Sequence, residues 1–229
     1  MNKFTSKKFI GYGLAFVSGT LMLGITPEAQ AVSASATGAG FSIPDDDPVG
    51  VFSDVTIIDS FAIEDVTVTL TDLDHTFTGD LIATLTNLGT GTSVTLFDRP
   101  GVPAGTFGNG GDLSGTFRFN DSFTGDFVAA STADVNGGDF FTTAADDSQT
   151  FLSDFDGESS ANTFRLFISD NAFDDVGSLG SFTLELSGPA TAVPFEFSPT
   201  LGLVLLSGGI GLMKGRERLK KQNSKVDLG

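Results

Sequence analysis

The sequence predicts an all-β body, a sandwich or barrel of short strands, held between two apolar end segments. Three observations carry this expectation. Runs of a few β-branched and aromatic residues recur between residues 41 and 188, each bounded by Gly, Asp, Asn or Ser. No segment of that body sustains an apolar period of 3.6 residues, which limits helices to short turns. In 229 residues there are 23 Phe beside one Tyr and no Trp, and Phe combines strand preference with the large buried area that a thin two-sheet core needs.

Taken in order, the chain starts with Lys3, Lys7 and Lys8, an apolar run from Phe9 to Ile25, then Pro27 and Ala29-Gln30-Ala31. A basic stretch, an apolar stretch and small residues before the cut are the three parts of a secretory signal. Residues 1–31 are therefore expected to be a signal peptide removed by signal peptidase after Ala31, with Ala29 and Ala31 at the recognition positions. An uncleaved membrane helix is the other reading of the same run. Residues 32–40, small and polar, read as a linker.

The clear strand patterns follow. Val51 to Ile58 comes first, then Ile63 to Leu70, where Val66, Val68 and Leu70 alternate with Thr67 and Thr69. Asp80 to Thr86 places Leu81, Ala83 and Leu85 on one face, and Ser93 to Phe97 and Leu113 to Phe119 continue the series. Thr163 to Ser169 and Ser181 to Ser187 close it, with Phe164, Leu166 and Ile168, and then Phe182, Leu184 and Leu186, each on a single face. Gly101 to Thr150 is richer in Gly, Asp, Thr and Ala and reads as a long, partly irregular excursion with room for an edge strand. Residues 189–193 read as a second linker.

Beyond them, Pro194-Phe195-Glu196-Phe197-Ser198-Pro199 leads into the apolar run Leu201 to Met213 and a basic cluster from Lys214. With Phe195 and Phe197 the run approaches the roughly 20 residues that cross a bilayer as a helix, and cations after it favour a cytoplasmic tail with the body outside. Residues 194–229 resemble the PEP-CTERM sorting signal of bacteria, a short Pro-Glu motif, a membrane helix and a basic tail recognised by an exosortase. Pro194, Glu196 and Pro199 stand at the motif, which reads Pro-Phe-Glu-Phe-Ser-Pro and not Pro-Glu-Pro. A plain C-terminal anchor is the alternative.

Charge is distributed unevenly. The whole chain carries −17, yet residues 32–188 hold only Arg99, Arg118 and Arg165 against 25 of the 29 carboxylates. Such a body repels nucleic acid and anionic headgroups and attracts cations. No Cys is present, so disulfides, thiol catalysis and Cys-ligated zinc are excluded. A Ser-His-Asp triad would have to use His75, the sole imidazole, and no Gly-x-Ser-x-Gly elbow supplies a nucleophile. Phosphate-binding loops are likewise missing.

Two separated stretches carry a family pattern. The first is Asp72-Leu73-Asp74-His75-Thr76-Phe77-Thr78-Gly79-Asp80-Leu81, followed by Leu85 and Gly89-Thr90 through Leu96. The second runs from Phe155-Asp156-Gly157 through Asn162-Thr163-Phe164-Arg165-Leu166-Phe167-Ile168-Ser169-Asp170 to Gly177-Ser178-Leu179 and Phe182-Thr183-Leu184-Glu185-Leu186. Residues 41–188 resemble the P domain, or P/Homo B domain, that follows the catalytic domain of kexin-like and furin-like subtilisin proteases. Phe164 and Phe182 stand where that family usually has Trp, and Asn162 where Gly commonly precedes Thr. The resemblance implies a jelly-roll β-sandwich without an active site of its own.

It also draws attention to two acidic groups. Asp72, Asp74 and Asp80 crowd the connection around His75, and Asp170, Asp174 and Asp175 crowd the turn between the last two strands. Loops converging at one end of a sandwich would make these an oxygen-donor site suited to calcium. A solvated acidic rim is the plainer reading. Asp45-Asp46-Asp47 reads as a solvated start to the first strand, and His75 as a structural ring bonded between loop and sheet.

The expectation is thus an exported, surface-displayed, non-catalytic module that binds or organises envelope or extracellular partners, with calcium as its candidate ion. It reaches the membrane through its C-terminal helix and takes no nucleic acid. One alternative is an accessory domain acting in trans with a subtilisin-like serine endopeptidase; a carbohydrate-binding jelly roll is a weaker one, since Trp is missing and exposed Phe would have to stack on sugar.

Overall fold

Alternation along each strand sorts side chains between two sheets in the computed structural model, which describes residues 29–104 and 107–192. The strands are β1 (Ala29–Ile43), β2 (Val51–Thr56), β3 (Asp65–His75), β4 (Leu81–Asn87), β5 (Ser93–Asp98), β6 (Leu113–Phe119), β7 (Gly138–Phe140), β8 (Thr163–Asp170) and β9 (Gly177–Ala192). One sheet has the order β1-β9-β3-β6-β7 and the other β2-β8-β4-β5. Every pairing is antiparallel except β6 with β7. The body is all-β, as expected, and its one α-helix among the described residues, α1 (Phe127–Ala130), is a single turn capped by the Asp126 carboxylate, which accepts from the Ala129 N–H at 3.0 Å.

The core lies between the sheets. Val66, Val68 and Leu70 of β3, Leu81, Ala83 and Leu85 of β4, Phe164, Leu166 and Ile168 of β8 and Phe182, Leu184 and Leu186 of β9 are all buried. These are the faces that alternation in the sequence selects. Phe97 of β5 meets Phe119 of β6 across the sheets, ring centroids 5.7 Å apart. Phe127 of α1 enters the same cluster, 4.8 Å from Phe97, 5.3 Å from Phe140, 5.7 Å from Phe119 and 6.0 Å from Phe117. The excursion after Gly101 therefore returns an apolar plug to the core and supplies β7, a three-residue edge strand.

The two linkers are corrections. Residues 32–40 are the middle of β1, an edge strand that pairs with β9 from Ala29↔Ala192 to Ile43↔Gly177. Its inward positions Ala34 and Ala36 pack on the core and Ile43 is buried. Small residues are required here, because a Cβ on Gly38 would lie 2.7 Å from the Phe182 ring, and one on Gly40 would lie 2.0 Å from the Leu179 carbonyl oxygen. Residues 189–192 likewise continue β9. The rest of the predicted signal peptide, residues 1–28, and the sorting segment 194–229 with Pro194, Glu196 and Pro199 lie outside the described residues; Ala29 and Ala31 stand at the start of β1. Among the described residues no helix is long and apolar enough to cross a membrane.

Candidate functional site

The inward face of β3 runs Val66, Val68, Leu70, and then, after a register shift between Leu70 and Leu73, Leu73 and His75. Asp72 sits in that irregularity with φ +50°, and the extra residue keeps the next inward position on the core side. On the opposite sheet β8 runs Phe164, Leu166, Ile168, Asp170 along its own inward face. The last inward positions of the two strands meet. His75 Nε2 lies 3.0 Å from Asp170 Oδ2, and both side chains are 0 % exposed.

Every polar atom of this pair has a partner. Nε2–H donates to Asp170 Oδ2, while Nδ1 lies 3.1 Å from the Phe77 N–H and 3.0 Å from the Phe77 carbonyl oxygen. A neutral ring with its proton on Nε2 accepts from the Phe77 N–H through Nδ1, and a protonated ring donates to the Phe77 carbonyl. Asp170 Oδ1 accepts from the Ala172 N–H at 3.1 Å. The geometry makes a clamp between sheets, with both ring nitrogens engaged inside the protein.

Beside the clamp, a 3-10 turn (Thr78–Asp80) carries Asp80 into the interior ahead of β4. Its side chain is 5 % exposed, and its nearest cation is Arg99, with Nη2 4.0 Å from Oδ1. Arg99 spends its Nε–H on the Gly79 carbonyl oxygen at 3.1 Å. Burial first, then the charges of Asp170 and Asp175, push the Asp80 carboxyl up to about 6. Asp175, in the loop between β8 and β9, accepts from the Thr76 hydroxyl at 2.7 Å.

The six carboxylates expected around calcium are divided by the pleat. Asp72 and Asp74 are exposed, pointing away from the face that carries Leu73 and His75. Asp80 and Asp170 are buried, and Asp174 is exposed on its loop with φ +85°. Among the described residues no group of three or more His, Asp or Glu side chains is placed to hold a metal ion. Asp80, Asp174 and Asp175 line one cleft, while Asp72 and Asp74 lie apart from it on the outer face of β3.

Sequence reading missed Arg99, Phe107 and Phe173. Phe107 is 73 % exposed and Phe173 71 % exposed, and both line a cleft at the same end of the body with Phe77, Asp80, Asp174 and Asp175. They lie in loops without periodicity, so only an isolated Phe among Gly, Asn and Asp marked them.

No family model matches the sequence, and no curated protein matches it. Among solved structures, the chain is similar to the complex of the Aeromonas sobria serine protease with a chaperone, with a TM-score of 0.40 and 17% identity over 70% of this chain and 28% of that one. It is also similar to the serine protease of Aeromonas sobria alone, with a TM-score of 0.38 and 16% identity over 69% of this chain and 27% of that one. The chain spans little more than a quarter of the length of either structure.

Proposed function

We propose that this chain is an exported, surface-displayed, non-catalytic module of P/Homo B type, a jelly-roll-like sandwich that docks a partner protein in the envelope or outside the cell. One observation carries the reading. The two stretches that resemble the P domain, 95 residues apart at His75 and Asp170, are joined in the interior by one hydrogen bond, so the motif residues serve to close the sandwich. With both nitrogens of the sole imidazole engaged, His75 has none turned toward a hydroxyl nucleophile or a substrate. The reading takes its export and sorting from residues 1–31 and 194–229, through signal peptidase and an exosortase-type enzyme, with calcium as its candidate ion.

Expression of the full chain in a bacterium with an exosortase, followed by surface proteolysis and crosslinking, tests this. The expected result is a body reached by external protease and crosslinked to one defined envelope or extracellular protein. A body confined to the cytoplasm overturns the proposal. Capture of a subtilisin-like endopeptidase selects the accessory reading, in which the module acts in trans on the enzyme.

A further inference from the structure

The body holds three arginines among 25 carboxylates, and two of them are used in one recurring way. Arg165 makes paired bonds to Asp54, 2.8 Å each, and lays its guanidinium 3.7 Å from the centre of the Phe52 ring. Arg118 bonds Asp139 at 3.2 Å and stands 4.9 Å over Phe123. In both places a carboxylate takes the charge and an aromatic face takes the plane, the pairing that a weakly hydrated planar cation favours.

A third grouping of the same composition has no cation stacked in it among the described residues. The cleft of about 240 Å3 between the β5–β6 loop, the Thr78–Asp80 turn and the β8–β9 loop is lined by Phe107, Phe173, Asp80, Asp174 and Asp175. Asp80 is buried in it, and its carboxylate accepts no hydrogen bond among the described residues; Arg99 stays 4.0 Å away, committed to the Gly79 carbonyl. With one ion-pair partner at 4.0 Å and no hydrogen bond among the described residues, this carboxylate has acceptor capacity that an incoming donor from the cleft would fill. The loops are anchored: the Gly79 N–H donates to the Asn109 carbonyl at 2.8 Å, and the Asn109 side chain donates to the Val128 carbonyl at 2.7 Å.

We propose that this cleft receives an arginine side chain of a partner polypeptide, stacked on Phe107 and Phe173 with its guanidinium bonded to Asp80 and the loop carboxylates. The volume suits one side chain and falls below the roughly 300–1,000 Å3 of small-molecule sites. Val176, 60 % exposed on the same loop, offers apolar surface for the residues flanking that arginine. The arginine comes from outside the body, since Arg99, Arg118 and Arg165 are all engaged. This deepens the reading of a partner-docking module and rests on it.

The test is fluorescence anisotropy of the purified full-length chain with labelled Gly-Leu-Arg-Leu-Gly, its citrulline counterpart, and unlabelled arginine amide as competitor. The arginine peptide is expected to bind about tenfold or more tighter than the citrulline peptide, the loss of one charge-assisted bond. Phe173→Ala, Phe107→Ala and Asp174→Asn, all at exposed positions, are expected to weaken it severalfold, while Phe151→Ala elsewhere on the surface leaves it unchanged. Equal binding of the citrulline peptide, or undiminished binding by the variants, overturns the site. Arginine amide competing as well as the peptide overturns polypeptide docking. A chain that still crosslinks its partner after Phe173→Ala overturns the cleft while leaving the module reading intact.

Discussion

His75 Nε2 and Asp170 Oδ2 lie 3.0 Å apart with both side chains fully buried, and this bond ties β3 of the five-stranded sheet to β8 of the four-stranded one. Removing one partner strands the other in a dry interior. Asp170→Ala and His75→Ala are each expected to cost about 3–5 kcal/mol of stability. The double variant His75→Phe with Asp170→Leu is expected to recover most of that loss, because no charge is then left behind. Urea unfolding of the four proteins checks both statements; additive losses in the double variant would contradict the pairing.

Asp80 sets a pH dependence of definite sign. Its folded value of about 6 exceeds the ordinary 3.8, so the folded state holds the proton more tightly than the unfolded state does. The contribution to stability is fully present below 3.8 and is lost as pH rises through about 6. Asp80→Asn is therefore expected to stabilise the protein at pH 7.5, by about 1–3 kcal/mol, and to lose that advantage near pH 4. Unfolding curves of the two proteins across this range decide it, and an advantage that grows toward low pH would contradict the assignment.

Phe127 is the centre of the aromatic cluster that the long excursion contributes, touching Phe97, Phe117, Phe119 and Phe140. Phe127→Ala leaves a cavity where both sheets meet and is expected to cost about 3–5 kcal/mol, with Phe127→Leu costing less. Thermal unfolding gives the order, which reverses if the excursion packs elsewhere.

Gly40 tests β1. A methyl group there would meet the Leu179 and Gly180 carbonyl oxygens at 2.0 and 2.1 Å, so Gly40→Ala must push β1 off β9 at a cost of about 1–3 kcal/mol. Faster hydrogen exchange of the amides from Val32 to Phe41 should accompany it. Unchanged exchange would mean that β1 is not held against β9.

Calcium at millimolar concentration, with magnesium as control, tests the candidate ion: a selective rise in melting temperature is expected if Asp80, Asp170, Asp174 and Asp175 hold it, and no shift leaves the loop carboxylates a solvated acidic rim. A folded-state site filled at 100 times its dissociation constant would add about 2.7 kcal/mol, a shift that could not be missed.

Features that depend on neighbours along the chain are legible in the residue order. Leu113–Phe119 stands where its pattern puts it, and the inward faces of β3, β4, β8 and β9 follow from alternation, because a strand's two-residue period is written locally. The pattern of β1 was also present, in Val32, Ala34, Ala36 and Gly38 alternating with Ser33, Ser35 and Thr37, yet Ala and Gly carry too little apolar area to stand out from a linker. Tertiary structure decided the rest. The contact of His75 with Asp170 depends on how many residues each strand spends before its inward face ends, and on the extra residue at Asp72. The same pleat that buries His75 turns Asp72 and Asp74 to the exposed face, away from buried Asp80 and Asp170. Asp80, Phe107 and Phe173 share a cleft because three loops end at one edge of two packed sheets, a relation set by strand order and sheet packing, which act over distances that no local pattern records.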